Sequence, residues 1–290
     1  MNWSEYSIKK VKFGDNKYPV NLSRINKPPR EIFYRGKLEE QILKNSIAIV
    51  GARRMTNYAR SATDLFVSGF VFSGVATISG FMYGVDSEVH KKTVDYGGKT
   101  VAVFGNGLDI VYPEENKDLY TKILETGGLV VSEYSRNVKP HLWTYPARNR
   151  IVAGLASLGV LVIEAGEDSG SLITAKIAKE IGKKVYAIPG PITSSNSVGT
   201  NLLIKKGLAS LVTDPSDIIE KVFKLKMKSK PDKPKYDKAE TEIISFLKRE
   251  PLTIDELSRE LKKDVIEVSR ILSLMSLRGL INEVGGKYYR

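Results

Sequence analysis

The chain has 290 residues, 42% hydrophobic and 27% charged, enough for one large and one small domain, and no apolar run reaches the ~20 residues of a membrane span. It has no cysteine, which excludes disulfides, thiolate metal sites and cysteine nucleophiles, and its two histidines, His90 and His141, are too few for a histidine-rich metal cage. A formal charge of +12 favours a polyanionic partner, with a basic solvated surface as the plain alternative.

The N-terminus, MNWSEYSIKKVKFG, lacks a basic stretch followed by an apolar core, so no secretory signal is read and a cytoplasmic location is expected. Residues 1–45 form a lead-in expected to pack on the domain that follows. Within it PPREIFYRGK is a short strand or extended segment, because Pro28 and Pro29 exclude helix while Ile32, Phe33 and Tyr34 suit a pleated surface. From Ser46 the runs SIAIV, VATIS, TVAVF, GLVVS, LGVLVIEA, KKVYAIPG and GLASLV alternate with longer amphipathic stretches. Repeated βα units predict an α/β fold over 46–223: an extended Rossmann-like, doubly wound, mainly parallel sheet with helices on both faces. A basic linker follows at 224–238, lysine-rich and interrupted by Pro231 and Pro234. Residues 239–290 then follow the winged-helix order. Ile243, Ile244, Phe246 and Leu247 give one apolar helical face, and Thr253 with Glu256 gives a capping box. A third helix from Asp264 to Arg278, closed by Gly279, leads to two strands joined by a Gly-Gly turn.

The first βα turn, IVGARRMTNYAR, sits where doubly wound sheets bind ligands. A dinucleotide fingerprint needs glycine at 51, 53 and 56, but only Gly51 fits, since Arg53 and Thr56 hold the other places; no nicotinamide or flavin cofactor is expected. Arg53 and Arg54 could clamp a nucleic-acid phosphate with their planar forks, or pair with surface carboxylates. Further glycine turns end later strands, at Gly80, Gly84, Gly105, Gly107 and, in EAGEDSGSLITAK, at Gly170 beside Ser171. They either permit tight turns only or together line an anion-binding rim. The segment VKPHLWTYPARNRIVAG sets Lys139, Trp143, Tyr145, Arg148 and Arg150 close together. Aromatic faces stack unpaired bases and basic groups hold phosphates, although such rings also fill cores and Arg150 could cap a helix. Asp86, Asp109, Glu133 and Glu164 follow strands without a nucleophile and base beside them, so no catalytic site is expected.

These segments, in this order, resemble the DNA processing protein A family, DprA or Smf. The matching blocks are VGARRMTNYAR, SGFMYGVDSEVH, GGKTVAVFGNGLDIVYPEEN, GLVVSEYS, YPARNRIVAGLA, VLVIEAGEDSGSLITAKIAKEIGKKVYAIPGP and SVGTNLLIKKGLASLVTD, from about Ile32 to Asp214. The resemblance implies a non-enzymatic protein that binds single-stranded DNA, forms a homodimer through the Rossmann domain, and loads the RecA recombinase onto incoming DNA during natural transformation. It also implies that Arg53 is the DNA-binding arginine of the first turn and that YPARNR flanks the DNA pocket. Leu142 and Glu114 stand where some relatives have lysine, with Lys139 and Lys117 nearby as substitutes, and Tyr83 stands where an arginine is common. With only residues 1–45 before the core, the helical N-terminal domain of many relatives is not expected. The winged helix offers Lys262, Lys263, Arg270 and Arg278, but Asp264 and Glu267 at the start of its third helix would repel phosphate, so a protein-contact or auxiliary role is expected. Two rivals differ in kind: an operator-reading regulator with a nucleotide-sensing core, and a phosphoribohydrolase. The second needs PGGxGTxxE where this chain has SGSLITAKIAKE.

Overall fold

The computed structural model describes residues 3–223, 237–277 and 280–289. Two compact units divide near residue 225. The first contains, in chain order, β1 (Lys9–Lys12), α1 (Val20–Ser23), β2 (Glu31–Gly36), α2 (Glu40–Lys44), β3 (Ser46–Val50), α3 (Asn57–Phe72), β4 (Ala76–Ser79), α4 (Val85–Asp95), β5 (Thr100–Val103), α5 (Lys117–Glu125), β6 (Leu129–Ser132), α6 (Thr144–Leu155), β7 (Val160–Val162), α7 (Gly170–Glu180), β8 (Val185–Ala187), α8 (Val198–Lys205), β9 (Ser210–Leu211) and α9 (Ser216–Phe223).

The nine strands form one sheet in the order β1-β2-β6-β5-β4-β3-β7-β8-β9. β3 to β9 run parallel, with Ala48 opposite Ile78 on one side and Val160 on the other. SIAIV is apolar throughout because helices cover both faces of β3: Ala48 and Val50 join the core beneath α6 and α7, while Ile47 and Ile49 join the one beneath α3, α4 and α9. The lead-in does more than pack on this core. Its strands extend the sheet, β2 antiparallel to β6 and β1 antiparallel to β2. Arg35 of β2 is buried, donating Nε–H to the Tyr6 carbonyl and Nη1–H to the Leu108 carbonyl and pairing Nη2 with Asp109 at 2.6 Å. A cation so satisfied ties the N-terminal segment to the loop after β5.

From β3 the chain winds outward through β4 and β5, then returns to place β7 on the other side of β3. Loops leaving β3 and β7 diverge there, and the crevice between them is the natural ligand site of such a sheet. Among the described residues no helix is long and apolar enough to cross a membrane.

The second unit comprises α10 (Lys238–Leu247), β10 (Leu252–Thr253), α11 (Ile254–Leu261), α12 (Val265–Leu277), β11 (Asn282–Val284) and β12 (Lys287–Tyr289). Ile243, Leu257, Val268, Leu272 and Met275 bring the three helices around one core. Capping boxes open two of them, Asp237 with Glu240 and Thr253 with Glu256. Gly285 and Gly286 both have positive φ, 61° and 75°, as a two-residue hairpin turn requires. β10 is not legible in the sequence as a strand: two residues pair with β12 and double as the entry to α11, giving a sheet in the order β10-β12-β11. Of the expected linker, 224–236 lies outside the described residues, as do Arg278 and Gly279; Lys238, expected to end the linker, opens α10.

Candidate nucleic-acid interface

The carboxyl ends of β3, β4 and β7 surround a pocket of about 530 Å³, closed on one side by α6 and on another by the N-terminus of α7. The first wall is the β3–α3 turn. Thr56 caps α3, its Oγ1 accepting from the Ala59 N–H at 3.1 Å. The Thr56 N–H and hydroxyl in turn donate to the two oxygens of buried Glu164, at 3.1 and 2.7 Å, which fixes the turn against the end of β7. Arg53 and Arg54 project exposed from it, and neither forms an ion pair among the described residues. The turn after β4 crosses directly above. Gly84, at φ 74°, lies so close that a Cβ there would sit 2.3 Å from the Ala52 carbonyl oxygen, so only glycine lets the two turns meet.

Tyr145 and Arg148 come from α6. Tyr145 is 9% exposed and presents its ring to Arg53, whose guanidinium carbon lies 5.7 Å from the ring centroid. Burial pushes its phenol up to about 12, so it stays neutral beside the cation. Arg148 does not reach a phosphate from the surface, as its place in the sequence suggests; it is 2% exposed and forms the pocket floor, Nη1–H donating to the Val103 carbonyl at 2.8 Å. Burial lowers its pKa and the Asp86 carboxylate opposes that shift; burial likewise raises the Asp86 carboxyl, opposed first by Arg148. The two groups meet over Gly80, where a Cβ would fall 1.9 Å from Arg148 Nη1 and 2.5 Å from Asp86 Oδ2.

Gly170 and Ser171 line the pocket at the start of α7, with Ser169 as the cap, its Oγ 2.7 Å from Ser171 Oγ. A helix N-terminus of this length carries partial positive charge and spare N–H donors, which suits an anion. Six residues proposed from sequence therefore share one cavity: Arg53, Arg54, Tyr145, Arg148, Gly170 and Ser171.

The other four lie elsewhere. Arg150 makes a two-point ion pair with Glu133, at 3.1 and 2.6 Å. Lys117 pairs with Glu114 at 2.5 Å, and that contact holds the Glu114 carboxyl below its ordinary range. Lys139 and Trp143 occupy the loop before α6, where Trp143 is 64% exposed, stacked on His141 at 6.2 Å and edge-on to Tyr134 at 6.1 Å. The strand-end carboxylates are all engaged: Asp86 faces Arg148, Asp109 pairs with Arg35 and Arg136, Glu133 with Arg150, and Glu164 accepts from Thr56. Tyr83, noted in the sequence only as standing where an arginine is common, also lines the pocket, as do Asn149, Asp168 and Asn196, which the sequence did not single out. The glycine turns around Tyr83 and Asp168 were a usable signal; nothing marked Asn196, which arrives from the segment after β8.

A family model described as DNA recombination-mediator protein A matches residues 9–223, and one described as the DprA winged helix domain matches 227–287. The chain is 35% identical over 283 residues to Protein Smf of Escherichia coli (strain K12), covering 94% of this chain and 75% of that one. It is 41% identical over 206 residues to the DNA processing protein DprA of Streptococcus pneumoniae, 71% of each. The X-ray structure of the Streptococcus pneumoniae DprA superposes with a TM-score of 0.68 at 38% identity, covering 75% of both chains. A DNA processing protein A from Helicobacter pylori, solved for its single-stranded DNA binding mode, gives 0.67 at 26% identity over 77% of this chain and 99% of that one. The family matches take in both units and every wall of the pocket, and the chain belongs to the DNA recombination-mediator protein A family, DprA or Smf.

Proposed function

We propose that the chain holds single-stranded DNA in the switch-point pocket, protects incoming DNA and loads the RecA recombinase onto it in natural transformation, working in the cytoplasm as a homodimer and not as an enzyme. The observation that carries the DNA-binding step is the pair of exposed arginines, Arg53 and Arg54, without ion-pair partners among the described residues, facing the N-terminus of α7 across a cavity with a tyrosine wall. Phosphates are met by guanidinium forks and helix donors, bases by aromatic faces. The Helicobacter pylori relative's single-stranded DNA binding supports the same ligand here. Engagement of all four strand-end carboxylates as structural partners supports a non-catalytic role.

The test is binding of a labelled dT oligonucleotide and its duplex across a salt series, with wild type and Arg53→Ala. Preference for the single strand, weakened by salt and by the substitution, is expected; duplex preference would favour the operator-reading alternative. The homodimer is proposed to form at the β9 edge, the open side of the last strand, where Leu211 is 50% exposed and Leu208, just before the strand, 41%. Leu211→Glu should shift the sedimentation coefficient to that of a monomer. For the winged helix a protein-contact role is favoured, since α12 exposes Ile266 at 80% and Leu274 at 52%, and Lys263 is held by Glu267.

A further inference from the structure

We propose that Tyr83 and Tyr112 form a base-stacking corner at the mouth of the pocket, so that a bound strand lays its bases against these rings and its phosphates against Arg53, Arg54 and α7. The inference rests on the single-stranded DNA reading above and adds the side on which bases and phosphates lie. Tyr83 leaves the turn after β4 and lines the pocket. Tyr112 comes from the loop after β5 and packs between Tyr83, at 6.3 Å between ring centroids, and the pocket wall Tyr145, at 6.2 Å.

Three tyrosines in a row would suit a core equally well, but their exposures differ. Tyr145 is nearly covered, at 9%, whereas Tyr83 and Tyr112 are 43% and 39% exposed. The two exposed rings stand at 78° to each other. A planar base stacked on one ring meets the other edge to face, the two arrangements that aromatic groups favour, and neither depends on which base is present. The charged groups nearest the rings favour one orientation. Tyr83 Oη lies 3.4 Å from Glu115 Oε2, which holds the ring and puts a carboxylate on this side of the mouth, while Arg53 lies beside Tyr145 on the other. A phosphate is repelled from the first side and attracted to the second.

The test compares dT oligonucleotides with an abasic oligomer of equal length, using wild type, Tyr83→Leu, Tyr112→Leu, Tyr112→Phe and Arg53→Ala. Each leucine variant should weaken dT binding roughly tenfold, the loss of one stacked base, and leave abasic binding unchanged. Tyr112→Phe keeps the ring and should bind dT as wild type does, which separates stacking from any disturbance of the Tyr145 wall; Arg53→Ala should lose affinity for both ligands. Leucine variants that bind dT normally, or lose dT and abasic binding equally, overturn the corner while leaving the pocket reading intact. Wild type that binds neither ligand overturns the pocket reading itself.

Discussion

Burial divides the basic residues of the pocket between two jobs. Arg53 and Arg54 keep their water and face the cavity, whereas Arg148 has given up its water and is held by the Val103 carbonyl and the Asp86 charge. Gly80→Ala tests the second job, because the added methyl would overlap both Arg148 and Asp86 and push Arg148 Nη1 off the Val103 carbonyl. A loss of ~1–3 kcal/mol is expected in urea unfolding, with weaker dT binding as the floor shifts. His90 gives a second residue-scale prediction. Burial, aided by Arg148, lowers its pKa from 6.5 to about 3, with Nδ1 2.7 Å from the Thr100 hydroxyl. Below pH 6.5 the unfolded chain takes up a proton that the folded chain refuses, so stability falls with falling pH until about pH 3, at a slope approaching ~1.4 kcal/mol per unit. NMR titration should find the His90 ring neutral at pH 5; a ring that protonates near its ordinary value would remove this source of acid sensitivity. That Arg53, Arg54 and Tyr145 would gather at the strand ends was legible because a missing fingerprint glycine and a cluster of rings and cations are local features. The Arg150–Glu133 pair and the burial of Arg148 were not, since each depends on which distant loop arrives beside the side chain.

Elements were legible where one period ran without interruption. SIAIV, TVAVF and GLVVS are short continuous apolar runs between turn residues, and each became a parallel strand. The lead-in was harder to read. Nothing in EIFYRG says that it will pair antiparallel with β6 rather than lie across the sheet, because strand partners are chosen by the open edge that β6 offers. β10 escaped for a related reason: two residues have no period, and only the hairpin beside them makes Thr253 both a strand end and a cap. That double use makes it a sensitive position. Thr253→Ala removes the Oγ1 acceptor of the Glu256 N–H and should cost ~1 kcal/mol of winged-helix stability in thermal unfolding. Thr253→Ser keeps the acceptor and should recover most of it, whereas an equal loss in both variants would point to the strand pairing instead of the cap.

Across the whole molecule the net charge of +12 does not belong to the pocket alone. Between 224 and 235 the sequence holds Lys224, Lys226, Lys228, Lys230, Lys233 and Lys235 against a single acid, Asp232. Charges carried on a lysine-rich segment attract any phosphate backbone, single or double, and their contribution weakens with salt in the same way for both. A pocket that admits unstacked bases distinguishes the two. The two sources can therefore be separated by ratio rather than by affinity. Replacing the six lysines with glutamine should weaken dT and duplex binding together and leave their ratio unchanged. Arg53→Ala should lower dT affinity more than duplex affinity, and reduce the slope of log K against log salt for dT by ~0.7, the value for one phosphate contact on a single strand. If the glutamine variant abolished the preference and Arg53→Ala preserved it, selectivity would reside in the lysine-rich segment, and the pocket would need a different ligand.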